Sequence, residues 1–381
     1  MIPAPFERKV GGRRVSARLS RRAVQLALDE GSRSRVKAQC AMDLVLSDPT
    51  YRQPDRPGSL DRLAERFIHD RRDTPFLKLM ALLTATVVPT GVVLFVPGAF
   101  RLWLAAVHLA LVVYFLGPFV LMLHNTSHRR LFKRPWAWLN LYVPSVLGPF
   151  FGESPETYFA HHVGMHHPEN NLEDDISSTM SYQRDSPVDF ARYFLRFFFG
   201  GTLELTRYFA RKKRRALMVR TLCGELGFAV AVSVLLYFNW RATLVVFVLP
   251  LIIVRFAMMA GNWAQHAFID ADAPENCYRN SITCVNSTYN RRCFNDGYHI
   301  GHHLKQTRHW TEMPEEFSQN VATYAAEEAL VFTGIDFFGV WMLLMLGSYD
   351  RLARRVVPLG DAARSEQELV TLMRSRTRYI S

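Results

Sequence analysis

Residues 102–128 read LWLAAVHLALVVYFLGPFVLMLHNTSH. From position 102 to 123 the stretch is almost unbroken in apolar character, close to the roughly 20 residues that a bilayer-spanning helix needs. His124 and His128 follow at once, four residues apart, so a helix that continues past the membrane carries both imidazoles on one face. This juxtaposition decides the fold class. A chain of 381 residues that is 49% hydrophobic suits two soluble domains or one membrane protein equally well. Residues 79–96, 222–238 and 242–260 repeat the apolar run, and four such runs point to an all-α integral membrane protein.

The connections sort these runs into pairs. Only PGAFR (97–101) separates the first two and only NWR (239–241) the last two, which leaves room for nothing but tight helical hairpins. Basic residues stand at the other ends: HDRRD (69–73), RRLFKR (129–134) and RKKRR (211–215). Lys and Arg near span ends stay in the cytoplasm, so both long segments and both termini are expected inside and the two turns outside. The net charge of +12 is read as this topology signal. No nucleic-acid partner is expected, and RKKRR reads second as a dock for an acidic electron donor or anionic lipid.

The expected organisation is a basic cytoplasmic arm over 1–75 with helical patterning near 60–68, a membrane and histidine-box domain over 76–310, and a cytoplasmic C-terminal region over 311–381. Residues 136–151, interrupted by Pro144 and Pro149, and residues 337–346 read as helices lying in the interface. Arg255, inside the fourth run, reads as snorkelling to the interface, with contact to an anionic head group as its functional alternative. The N-terminus is basic without the apolar core of a secretory signal. Cys40, Cys223, Cys277, Cys284 and Cys293 are odd in number and lack CxxC spacing, so they read as reduced thiols.

Most of the thirteen histidines gather at or beyond the expected cytoplasmic ends of spans. HNTSH holds His124 and His128; HHVGMHH holds His161, His162, His166 and His167; NWAQH sets Asn262 four residues before His266; HIGHH holds His299, His302 and His303. Imidazole suits iron, zinc, copper and nickel. HNTSH lacks the glutamate of a zinc-protease HExxH motif, and a structural zinc site is full at four ligands, usually thiolates among them. Two ions of four or five ligands each account for the number of imidazoles. One histidine at a membrane boundary is ordinarily just a hydrogen-bonded side chain, but four clusters at converging positions are not explained that way. His69 and His108 stand outside the clusters, and His309 reads as a surface residue or a neighbour of the site. If 161–167 is a regular helix, His162 and His166 lie about 40° apart around its axis and His161 about 100° from His162. His162 and His166 are then expected to share an ion, with His167 reaching a neighbouring one and His161 facing the cap or a substrate.

The order HxxxH, a second histidine box, a lone histidine and HxxHH resembles the membrane fatty acid desaturase and hydroxylase superfamily of non-haem di-iron enzymes, over about residues 77–310. The resemblance implies four transmembrane helices as two hairpins, with a cytoplasmic helical cap holding a di-metal site. It implies two iron ions, with O2 as co-substrate, and His124, His128, His162, His166, His167, His266, His299, His302 and His303 as ligands. Asn262 matches a position where desaturases can have an asparagine interacting through water. The second box departs from the usual HxxHH: HVGMHH is HxxxHH, and with the EDDISS after it is similar to the alkane monooxygenase branch.

Cleaving an unactivated methylene C–H bond demands a stronger oxidant than acid, base or thiol side chains provide, so a metal must carry it. The expected substrate is a long acyl or alkyl lipid chain and the expected reaction desaturation, with hydroxylation or oxidative decarboxylation to a terminal alkene as rivals. The chain has no His-Pro-Gly-Gly haem motif and no paired CxxC iron site, so electrons are expected from a separate protein such as a ferredoxin. Glu169, Asn170, Glu173, Asp174, Asp175, Asn295 and Asp296 are candidates to accept the second N–H of a ligand imidazole. A histidine-rich metal transporter or sensor is the competing class, but transporters place ionisable residues near the bilayer midplane, not at the ends of spans.

Overall fold

The structure is a computed structural model that describes residues 44–51, 58–360 and 364–380. Most of the expected 1–75 arm, Cys40 included, lies outside the described residues. The helical patterning near 60–68 becomes α1, Ser59–Phe67. After it, Asp70 caps a short turn by accepting from the Arg72 N–H, and α2, Thr74–Phe95, starts with Pro75 in its first turn, where a missing N–H costs nothing. The chain reverses through Pro97 and Gly98, whose φ of 76° is open to glycine at no steric cost. α3, Leu102–His128, then packs against α2, and Thr90 Oγ1 meets His108 Nδ1 at 3.0 Å between them.

Residues 136–151 are less regular than expected. A tight helical run, Arg134–Leu141, passes into a wide turn, Val143–Leu147, and a last turn, Gly148–Phe150, because each proline removes a donor from the ladder. Phe151 stacks on Phe119 of α3 with ring centroids 4.0 Å apart. Gly152, with φ 69°, lets the backbone pass where a Cβ would stand 2.1 Å from Leu251 Cα. Residues 157–169 form α4, a helix that changes type partway along. α5, Pro187–Arg211, is capped by Ser186 and carries exposed Leu195, Phe199 and Leu203.

Among the described residues, three helices are long and apolar enough to cross a membrane: Arg71–Phe95, Leu102–His128 and Arg215–Gln265. The last covers two of the four expected runs. It consists of α6, Arg215–Thr243, a wide turn, Leu244–Val248, and α7, Leu249–Gln265. The expected turn at NWR is present within it. Asn239 leaves helical geometry at φ −150° and ψ 80°, and its Oδ1 accepts from the Ala242 N–H at 3.1 Å, capping the helical turn that begins there. Glu225 and Arg255, 30 positions apart, form an ion pair at 3.1 Å. A straight helix rising about 1.5 Å per residue would hold them roughly 45 Å apart, so the run doubles back at Asn239. Arg255 therefore does not snorkel alone: among apolar surroundings an unpaired charge is far costlier than a paired one, and Glu225 supplies the partner.

The rest assembles around the ends of α3 and α7. β1, Ile282–Val285, pairs in parallel with β2, Leu330–Thr333, in the register Cys284↔Phe332, so the expected C-terminal region shares a sheet with the histidine-box segment. Around this sheet stand α8, His299–Leu304, α9, Met313–Ala326, α10, Phe337–Met345, and α11, Glu366–Arg376. The residues expected to form an interfacial helix at 337–346 are α10, which packs on α7 through Trp341 and Phe256. Buried Arg184 fastens the C-terminus to this body, donating to the carbonyls of Thr179, Met180, Tyr182, Ala267 and Arg376 at 3.0–3.2 Å.

Candidate metal centre

Helix geometry brings His124 and His128 to one face of the last turn of α3. His266 follows the last residue of α7, and α8 presents His299, His302 and His303. In α4 the spacing HxxxHH produces a local change of helix type. Thr157–His161 is α-helical, His162–His166 forms a π turn in which the His167 N–H bonds the His162 carbonyl, and His167–Glu169 closes the helix. A π turn holds residues five apart on one side. His162 and His167 therefore face each other, Nε2 to Nε2 at 3.0 Å, and His166 points elsewhere. This corrects the expectation that His162 and His166 share an ion, which assumed a regular α-helix.

The imidazoles gather into two groups. His124, His128, His162 and His302 bring one ring nitrogen each within 4.8 Å of one another, and His166, His266, His299 and His303 do the same. His167 joins the first group, its Nε2 at 3.1 Å from His128, 3.0 Å from His162 and 2.9 Å from His302. Protons cannot satisfy this arrangement. An imidazole nitrogen carries one proton or one lone pair, yet His167 Nε2 faces three nitrogens, and His299 Nε2 faces both His266 at 3.2 Å and His303 at 3.0 Å. A cation shared by lone pairs does satisfy it: two donors at about 2.1 Å from one metal and at right angles stand about 3.0 Å apart. Burial, reinforced by neighbouring imidazoles, holds His162, His167, His299, His302 and His303 well below the ordinary imidazole value, which leaves them neutral and able to donate to a metal.

Two of these rings are fixed from behind. Asp175 accepts from His166 Nδ1 at 2.7 Å, and from the Asn171 N–H, the Ser177 N–H and the Ser177 hydroxyl at 3.0, 2.8 and 2.6 Å. Burial raises the Asp175 carboxyl, but His166 and these donors outweigh it and bring it down to about 2. His266 Nδ1 donates to the Asn280 carbonyl at 2.9 Å, a backbone partner that no residue-type signal announces. Five of the other candidates for this role have different partners. Asp296 stands 3.9 Å from His124 Nδ1 and takes the Tyr289 hydroxyl at 2.8 Å; Glu169 accepts from Tyr208, and Asp174 pairs with Arg211 and Lys212. Asn295 donates to Pro49 and Trp310 carbonyls, and Asn170 to that of Glu275.

Asn262 lies outside both groups. It donates to Tyr193 Oη at 2.7 Å and to the Ser177 carbonyl at 3.0 Å, and it lines a cavity of about 260 Å³ beside the imidazoles. That cavity is lined by His124, His162, His166 and His299 and by apolar residues such as Leu116, Met259 and Phe337. His161 is in neither group and also faces the cavity. His309 is buried rather than on the surface, bonded to Asp73 at 2.9 Å and Thr311 at 2.8 Å.

The family model described as Fatty acid desaturase matches residues 97–334, more than half of the chain and all four histidine clusters. No curated protein matches the chain.

Proposed function

From the premise that the chain belongs to the fatty acid desaturase family, we propose that it is an O2-dependent membrane oxidoreductase that uses two iron ions to desaturate a long acyl or alkyl chain. The observation that carries this reading is the convergence of nine imidazoles in two groups, four of which, His124, His162, His166 and His299, reach the wall of a largely apolar cavity. His124, His128, His162, His167 and His302 would hold one ion, and His166, His266, His299 and His303 the other. When bound, the metals supply the oxidising power toward an unactivated C–H bond, with electrons from a separate donor such as a ferredoxin. The protein's part is to keep the ligands neutral, to hold the Nδ1 proton of His166 on Asp175 and that of His266 on the Asn280 carbonyl, and to lay the chain along Leu116, Met259 and Phe337 away from water. Asn262 would act from the cavity wall through water. Hydroxylation is a second reading, favoured by the HxxxHH spacing with EDDISS after it; oxidative decarboxylation is the third.

Protein made under iron-replete conditions is expected to hold about two irons per chain, and lipids of expressing cells to contain new unsaturated chains by gas chromatography with mass spectrometry. Active protein free of iron rejects the metal assignment; hydroxylated or shortened products decide for a rival reaction. The four-span arrangement, with α2–α3 and α6–α7 as hairpins and the histidines, both termini and the cap in the cytoplasm, has its own test. Ser181 and Ser318 are exposed, and cysteines placed there should react with a membrane-impermeant reagent only from the cytoplasmic side. Labelling of either from outside overturns it.

A further inference from the structure

Next to the cavity beside the imidazoles lies a smaller chamber of about 50 Å³. The two share Tyr158, His161, Phe197 and Met258, and the His161 ring stands 6.4 Å from that of His166. Charged side chains, Glu153, Glu225 and Arg255, stand in the chamber's wall together with Thr157 and Thr202.

The charges and hydrogen bonds of this wall are incomplete. Arg255 uses Nη2 on Glu225, at 3.1 and 3.3 Å, and Glu225 is held further by Ser154 and by Thr202 at 3.2 Å. That leaves Glu153 as a second carboxyl group without a cation of its own. It is 6% exposed, and its Oε1 meets no partner among the described residues; nor does His161 Nε2. Buried polar atoms are normally satisfied by something. Burial pushes the Glu153 carboxyl up to about 7, Arg255 opposing and Glu225 adding to the rise, so it is available as a hydrogen-bond donor near neutrality.

Size and chemistry select the occupant. The volume of about 50 Å³ exceeds the roughly 10–15 Å³ that one water needs on the same measure, so the chamber has room for a carboxyl group. The guanidinium N–H groups that Arg255 does not direct at Glu225 belong to a planar fork suited to carboxylate oxygens. We propose that this chamber seats the carboxyl end of an unesterified long-chain acid, whose hydrocarbon part runs back through the larger cavity past His162 and His166. The carbons presented to the imidazoles are then those nearest the carboxyl group. The assignment rests on the reading of the protein as a lipid oxidoreductase and narrows its substrate to a free acid.

Binding and turnover separate the two claims. Full-length protein loaded with zinc, which binds imidazole but has no redox chemistry, is incubated in nanodiscs of neutral lipid with radiolabelled palmitic acid, and hexadecane, hexadecanol and methyl palmitate are tested as competitors. Palmitic acid is expected to bind roughly tenfold or more tightly than any of them, and Glu153→Leu and Thr157→Val each to weaken it by about five- to tenfold, the loss of one charge-assisted hydrogen bond, with hexadecane binding unchanged. Retained helical circular dichroism and elution volume show that the variants are folded. Equal competition by hexadecane or hexadecanol overturns the proposal, as does undiminished acid binding in both variants, which leaves the chamber as a water pocket. If acid binding follows the expected pattern but iron-loaded protein oxidises no chain, the reading as an oxidoreductase fails and the carboxyl seat stands; oxidation of hydrocarbon or ester without selective acid binding gives the converse.

Discussion

The two histidine groups use one kind of side chain and are held in different ways. In the group of His166, His266, His299 and His303, two rings have their Nδ1 hydrogen bonded to a fixed oxygen, Asp175 for His166 and the Asn280 carbonyl for His266. The group of His124, His128, His162 and His302 has no such bond among the described residues; its nearest carboxylate, Asp296, stands 3.9 Å from His124 Nδ1. Its order comes from the backbone, because His124 and His128 occupy consecutive turns of α3 and His162 begins the π turn of α4. One group is oriented by outer hydrogen bonds that fix tautomer and ring angle, the other by the helices that carry its rings. The first kind of support predicts tight metal retention, and the second leaves room for rings to adjust during turnover.

The sharpest way to break this distinction is to remove a ligand from each side. His162→Ala and His166→Ala are each expected to abolish product formation and lower iron content, with the ion of the untouched group retained; loss of all iron from both variants would make the two groups one cooperative site. A smaller effect is expected from Asp175→Asn, which removes the acceptor that fixes the His166 tautomer. Metal affinity of that group should fall roughly 10–100-fold, read by competition against a chelator. In the unaltered protein the ion of the His124 group should leave first, and in Asp175→Asn the order should reverse. An unchanged order means that the outer hydrogen bonds do not separate the sites. The smallest effect belongs to His161→Ala: His161 is outside both groups, so the variant should keep most of its iron at matched expression. Iron lost as completely as in His162→Ala would move His161 into the metal site.

Much of the architecture follows from local pattern. The apolar runs, the turns at PGAFR and NWR, and the pairing of His124 with His128 depend on residue type and on helix periodicity over a few positions, so composition and spacing were enough to anticipate them. Asp175, too, stood among the candidates for orienting a ligand. Other features depend on what packs against a segment from elsewhere in the chain. Glu225 and Arg255 become partners only because α6 and α7 lie side by side, and the carbonyl that anchors His266 could belong to any residue type at position 280.

The division of HHVGMHH between two imidazole groups is the clearest case. The spacing HxxxHH is written in the chain, and it sufficed to mark these histidines as candidates, but an α-helix and a π turn distribute them oppositely. The π turn forms where α4 meets α5 and α6: a Cβ on Gly164 would come within 2.9 Å of Leu217 Cδ1 and 3.3 Å of Phe209 Cζ, and Arg214 Nη1 donates to the Gly164 carbonyl at 2.6 Å. Periodicity along one helix thus determined which imidazoles exist to bind metal. Contacts with residues some 50 positions away decided which of them face each other, because the choice between an i+4 and an i+5 hydrogen bond is too finely balanced for local sequence to make and is settled by the packing around it.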